Sequence, residues 1–424
     1  MAQTKVKSEL IDGGLGTDWQ STIQTSNFTA AAGKGYFVNT TSNEITVTLP
    51  AGVVGSEIVF QDYAGAFDTN KMILSANGSE KIKGSTDNSK CAVESATVNL
   101  VYQDATKGWT ADNIADDPPT FSINYLITAG GAAGGGFYRA GGGGAGGLRT
   151  SYGSTSGGGA SAESIISNVS PGTSYTITVG AGGAGTASPV NNGGSGSNSV
   201  FSTITSAGGG GGGRYTSTTG TAGAAGGSGG GGGGDSTGGA GGAGTANQGY
   251  AGGTGGSSNI QCGGGGGGAG AVGKNGGAGA TDGDGGDGIQ SAILNYANAG
   301  TASVGEQISG SQVWYAGGGG GGSYASGNDT IPGKGGGGEG TNPSNYPTNG
   351  SPATVNTGGG GGGASGDAGI VGGAGGSGVV ILRYPSDRTI TVPGGIGQST
   401  GSPFTEGSYK ISVFTSGTGT ISIS

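Results

Sequence analysis

From Gly35 onward, hydrophobic and polar positions alternate in short bursts. In Glu44-Ile45-Thr46-Val47-Thr48-Leu49 the apolar residues Ile45, Val47 and Leu49 fall on one face, the period-two pattern of a half-buried strand. Comparable bursts occupy 35–41, 56–63, 71–77, 96–102 and 107–112, with turns at Pro50-Ala51-Gly52, Asn77-Gly78 and Lys107-Gly108. No helical period competes with them. The pattern predicts an N-terminal arm (1–18) and a small antiparallel β-sandwich, an attachment or assembly module, over 19–113. Asp116-Asp117-Pro118-Pro119 is a stiff, charged break, since proline restricts both itself and the residue before it. It places a linker at 114–120.

Beyond the linker stand two strongly apolar strands, FSINYLITA (121–129) and SGVVILRY (377–384), far apart in the chain. Each would leave an apolar face in water if alone, so they are expected to pair and tie residues 121–385 together at a short base sheet. Residues 386–424 are expected to add a hairpin, Tyr409–Phe414 with Gly419–Ile423, turned at Ser416-Gly417-Thr418. A further stretch, 161–183, reads as conventional β-structure around Ser170-Pro171-Gly172.

The space between the two flanking strands is mostly glycine. Of the 112 glycines in 424 residues, 94 lie in 129–378, which excludes a conventional side-chain core there. Gly-rich sequence ordinarily makes a flexible linker. Collagen is excluded because glycine does not recur at every third position. A third reading is a bundle of packed polyproline II helices. It is favoured by five runs of six glycines: Gly208–Gly213, Gly229–Gly234, Gly263–Gly268, Gly317–Gly322 and Gly358–Gly363. Six residues in that conformation span roughly 19 Å, a sensible layer thickness. Such a helix has no internal hydrogen bonds, so its N–H and C=O groups must bond to neighbours, and only a chain without Cβ atoms packs that closely. The expected fold class is all-β plus polyproline II. Segments between the runs, such as Gly136-Phe137-Tyr138-Arg139, are too rich in large side chains to be spacers.

Charge and rare residues narrow the function. Net charge is −9 and no basic cluster exists, which argues against nucleic acid as a partner. No apolar run reaches the roughly 18 to 20 residues of a membrane helix. The N-terminal residues carry no signal-peptide pattern, so no membrane insertion and no secretory leader are expected. Histidine is absent, which removes the commonest general base and the commonest transition-metal ligand. The two cysteines, Cys91 and Cys262, read as free thiols. No cofactor motif is present, and the chain is expected not to be an enzyme; acidic pairs that could hydrolyse a glycan are not singled out by spacing.

Candidate chemistry is therefore recognition. Arg214, Tyr215, Tyr324, Tyr346 and Trp314 are candidate receptor-binding residues, because aromatic and arginine side chains dominate binding hot spots. For Trp314 the competing role is to cap the glycine layers. Asp282, Asp284 and Asp287 in TDGDGGDG could offer oxygen ligands to calcium or simply form a solvated acidic loop.

The segments NYLITAGGAAGG, GGGGAGGLRTS, SPGTSYTITVGAGGAG, YAGGGGGG and GSGVVILRYP resemble the glycine-rich domain of bacteriophage tail-fibre and adhesin proteins, notably of marine and T-even-like phages. SNFTAAAGKGYFVNTTSNEITVTLPAG, DYAGAFDTNKMILSANGSEKI and LVYQDATKGWTAD are similar to a small β module of cyanophage-like virion proteins. The resemblance implies a layered polyproline II architecture with loops at one end that touch a host receptor. It also implies a virion or extracellular location, a protein or glycan receptor on the host cell, other fibre subunits as partners, and a homo-oligomer, with a trimer as the common arrangement. The alternative is a self-assembling filament or extracellular matrix subunit.

Overall fold

The computed structural model describes residues 17–111, 120–186, 191–216, 218–257, 262–277, 283–324, 330–341, 349–366 and 369–424. Most of the expected arm and linker, with Tyr346 and Asp282, therefore lies outside the described residues. The chain divides into two compact units at Thr120/Phe121.

The first unit is a two-sheet sandwich. One sheet runs in the order Asp18–Trp19, Lys34–Val38, Glu57–Asp62, Thr97–Asp104, Gly108–Thr110; the other runs Phe28–Thr29, Ile45–Thr48, Met72–Ser75, Ser89–Cys91. Ile45, Val47 and Leu49 are buried, as their alternation predicts, in a core with Phe60, Met72 and Trp109. The expectation of an antiparallel sandwich needs correction. Through Met72–Ser75 the strands alternate between the two sheets, so neighbours within a sheet lie two strands apart in sequence and run parallel. Only the later pairings, from Ser89 onward, are antiparallel. Alternation reports which face is buried and carries no information on the direction of the partner strand. Asp62 is a buried acid whose carboxylate accepts the backbone N–H groups of Ala66, Phe67 and Ser95 at 3.0–3.1 Å, which satisfies it and pins the turn that follows.

The second unit is built on a curled sheet in the order Leu148–Thr150, Phe121–Thr128, Val379–Pro385, Tyr409–Ile423, Thr173–Thr178, Ser199–Phe201, Ile204–Ser206. The two apolar strands that flank the glycine field pair antiparallel, from Asn124 opposite Arg383 to Thr128 opposite Val379. Their apolar runs are continuous because both faces are covered. Tyr125, Ile127, Val380 and Leu382 face one core with Phe201 and Phe414, whereas Leu126, Val379 and Ile381 face another.

The sheet comes close to a closed barrel. Arg149 Nη1, on the first strand in this order, reaches Thr205 O on the last at 3.4 Å, and Ser206 Oγ donates to Ile127 O at 3.0 Å. At the same place Arg149 grips both oxygens of Glu163 through Nε and Nη2, at 2.7 and 2.8 Å, while Tyr125 Oη donates to Glu163 at 2.8 Å.

A second correction concerns the C-terminus. Residues 409–423 are one strand of 15 residues rather than a hairpin. Gly417, at φ +90°, bends it instead of turning it, so its first half pairs with Val379–Pro385 and its second with Thr173–Thr178. The two-residue turn occurs earlier, at Gly407-Ser408, where Glu406 pairs with Tyr409. Both edges of a long strand were open to partners, which local turn residues do not reveal.

Between the flanking strands the glycine segments are joined by backbone hydrogen bonds in a three-residue rhythm. The N–H groups of Gly141 and Gly144 donate to Gly213 and Gly210, those of Gly142 and Ala145 to Gly264 and Gly267, and those of Gly143 and Gly146 to Gly361 and Gly358. The carbonyls follow the same rhythm: Arg139, Gly142 and Ala145 accept from Gly234, Gly231 and Ser228, Ala140 and Gly143 accept from Gly322 and Gly319, and Gly141, Gly144 and Gly147 accept from Gly135, Ala132 and Ala129. Segment 139–147 is thus bonded to all five six-glycine runs and to segment 129–135. At every glycine of the five runs a Cβ would come within 1.8–2.7 Å of a backbone carbonyl oxygen, so no other residue fits without moving the backbone.

At the sheet end of these segments lie a three-stranded sheet (Ile289–Gln290, Gln312–Tyr315, Glu306–Ile308) and the helix Tyr296–Ala302, whose first turn is capped by Asn295 Oδ1 accepting from Asn298 N. No helix among the described residues is long and apolar enough to cross a membrane.

Candidate functional site

Segments 129–136 and 140–147 run antiparallel, and the chain reverses between them through Phe137-Tyr138-Arg139. These three residues have φ of +66°, +31° and +31°. The left-handed region is unfavourable for side chains of this size, and each such residue carries roughly 1–3 kcal/mol of strain. In a segment with glycine on both sides, glycine would remove that strain, so its exclusion from this turn marks the side chains as needed.

The hydrogen-bonded segments bring other residues to the same end. Gly213 accepts from Gly141, Gly234 donates to Arg139 and Gly322 donates to Ala140. The residues that follow these runs, Arg214-Tyr215, Asp235 and Ser323-Tyr324, therefore gather around the turn. The ring of Tyr215 lies 5.9 Å from that of Phe137 and 5.4 Å from that of Tyr138, and Tyr324 lies 6.0 Å from Tyr138. Arg139 Cζ sits 5.5 Å from the Tyr215 ring centre and 5.6 Å from that of Tyr324. Both are cation–π distances. Tyr324 is 41% exposed, and Phe137, Tyr138, Arg139, Arg214 and Tyr215 are half-buried. Asp235 is buried; its Oδ1 accepts from the N–H and hydroxyl of Ser236, and its Oδ2 has no donor among the described residues.

Of the residues singled out in the sequence, Arg214, Tyr215 and Tyr324 thus share one end. Trp314 stands at the other. It precedes the Gly317–Gly322 run on the sheet side, with Lys334 Nζ 5.1 Å from its ring centre, and it walls a groove of about 610 Å³ with Tyr152 and Asp287. Asp284 and Asp287 do not converge on a common point. Asp284 is buried, pairs with Lys274 Nζ at 3.0 Å and accepts from Ile331 N; Asp287 accepts from Lys334 N. Each carboxylate ties its own segment to the 331–334 backbone, and among the described residues no group of three acidic, histidine or cysteine side chains could hold a metal. Cys91 and Cys262 are both buried, and they form no disulfide. Phe137-Tyr138-Arg139 stands out in the sequence only as a segment too rich in large side chains to be a spacer. Its signal was three large side chains in succession where a glycine tract reverses.

A family model described as a glycine-rich domain matches residues 105–385, about two thirds of the chain. The chain belongs to this family. The matched glycine-rich domain ends at Pro385, the last residue of the Val379–Pro385 strand, so it closes where the base sheet closes. It contains every residue of the aromatic cluster. No curated protein matches the chain.

Proposed function

We propose that this chain is the host-recognition protein of a phage tail fibre. Its glycine-rich domain is a scaffold of packed polyproline II helices, and the cluster of Phe137, Tyr138, Arg139, Tyr215 and Tyr324 is its adhesive end. The observation that carries this reading is the cluster itself: large, strained, partly exposed side chains held where several hydrogen-bonded glycine segments terminate. The three-residue rhythm of lateral bonds supports polyproline II, which has three residues per turn and no internal hydrogen bonds. A scaffold ordered in advance lowers the entropy lost when its loops bind, so tyrosine and arginine contribute contact area at little cost.

In this reading the protein acts by adhesion and not by catalysis. The attachment module, residues 19–113, docks to other fibre subunits or to copies of the same chain, with a trimer as the expected assembly on a virion or in the extracellular space.

The test is binding of the purified protein to a panel of bacterial cells. Cells that retain the wild-type chain should lose it at least about tenfold with Tyr215→Ala plus Tyr324→Ala, as expected for hot-spot residues, and should still retain Trp314→Ala. Equal retention of all three proteins would remove the cluster from the adhesive role. The exposed Val53, Val54, Tyr63 and Val93 favour a second reading, a self-assembling filament subunit. A regular polymer of the pure protein in negative-stain images supports that one, and discrete particles that bind cells support the first.

A further inference from the structure

We infer that Arg139 is the anchor for a negatively charged group on the ligand, and that the ligand is an acidic glycan whose sugar rings rest on Tyr215 and Tyr324 while its carboxylate or phosphate meets the guanidinium. The inference rests on the adhesive reading above and adds the ligand's chemistry.

A guanidinium carries five N–H donors and ordinarily finds carboxylate or carbonyl acceptors when partly buried. Arg139 is half-buried, its Nε is enclosed, and it has no hydrogen-bond acceptor or acidic partner among the described residues. Asp235 gathers at the same turn, but among the described residues neither its free Oδ2 nor any other carboxylate pairs with Arg139. The guanidinium carbon lies within cation–π distance of both tyrosine rings, and only its Nε is enclosed, so the Nη groups are the donors open to a partner from outside. Charge-assisted bonds from arginine to carboxylate or phosphate are short, directional and about twice as strong as neutral ones. The neighbouring tyrosines, with Tyr324 the more exposed, each offer a flat apolar ring with one hydroxyl at its edge, which suits the mixed apolar and polar faces of a sugar. The backbone at Arg139 is left-handed, at φ +31°, so the arginine is kept at a position where glycine would be more comfortable.

The same backbone feature makes the test clean. Arg139→Gly relieves strain, so it should fold with a melting temperature equal to or above that of the wild-type chain, and lost binding cannot be assigned to unfolding. The full chain is applied to an array of bacterial surface oligosaccharides printed in matched pairs, carboxylated beside carboxyl-reduced and phosphorylated beside dephosphorylated. At least one acidic member should bind about ten- to a hundredfold tighter than its neutral counterpart, the range of one charge-assisted hydrogen bond. Arg139→Gly and Arg139→Gln should abolish that preference, Arg139→Lys should keep part of it, and added salt should weaken it.

Equal binding to both members of every pair overturns the inference, as does a preference that survives Arg139→Gly or an array on which nothing binds. Each of these can occur while cell binding still depends on Tyr215 and Tyr324, in which case the adhesive reading stands. Loss of that cell-binding dependence while Arg139 still selects acidic glycans would instead remove the adhesive reading alone.

Discussion

The backbone N–H of Gly143 donates to the carbonyl of Gly361 at 2.8 Å, joining two segments that lie near opposite ends of the glycine-rich stretch. Such contacts leave no room for a side chain. A Cβ on Gly143 would lie 2.2 Å from Ala132 O, whereas one on Gly394 would meet nothing within 4 Å. Gly143→Ala should therefore destabilise the second unit by about 3 kcal/mol or more, the upper range for overpacking. Gly394→Ala should stay within about 0.5 kcal/mol of wild type. Denaturant unfolding of the two variants beside the wild-type chain measures both.

Amide exchange distinguishes a bonded scaffold from a flexible tract. The N–H groups of residues 141–147 all have backbone acceptors, while Gly153 and Gly310 are exposed in turns. The former should exchange among the slowest in the unit and the latter within the dead time, as expected if exchange of the segment requires global opening. Exchange of 141–147 at unstructured rates would sink the scaffold argument.

Two buried tyrosines should respond oppositely to loss of the hydroxyl. Tyr315 Oη is buried without a partner, so Tyr315→Phe removes an unsatisfied polar group and should stabilise by about 1 kcal/mol. Tyr125 Oη donates to Glu163, so Tyr125→Phe should destabilise by about 1–2 kcal/mol. Melting temperatures moving in opposite directions are the expected outcome, and a loss on Tyr315→Phe contradicts the assignment of its hydroxyl as unpaired.

Burial pushes the phenols of Tyr125, Tyr315 and Tyr384 above their ordinary value of 10.0. For Tyr125 the bond to Glu163 adds to this; for Tyr384 the bond to Ser412 works against it. A raised folded-state value means the unfolded chain releases the proton first as pH rises. The stabilisation is then complete below about pH 10 and declines above it. Unfolding titrations should show a fall in stability beginning near pH 10, accompanied by phenolate absorbance that appears with unfolding. Phenolate absorbance from these residues in the folded chain near pH 10 would contradict their burial.

Much of the first unit was legible in the chain. The faces of Ile45, Val47 and Leu49, and most strand positions, follow from period-two alternation because water decides which side of a strand is apolar. Ser89–Cys91 was missed because SKC has no apolar alternation, although its residues pair with Met72–Leu74. The parallel pairing was also invisible, since it depends on the chain crossing between sheets after each strand.

In the glycine-rich unit, sequence by itself determined two things: that Phe121–Thr128 and Val379–Pro385 pair, and that glycine would be needed wherever backbones meet. Tertiary structure alone decided that segment 139–147 bonds to all five glycine runs, that Gly417 bends a continuous strand, and that Arg139 stands between Tyr215 and Tyr324. The physical reason is common to all three. Partners chosen by backbone hydrogen bonds between glycines leave no side-chain pattern to read, and residues gathered from distant loops become neighbours only once those bonds have set the layers.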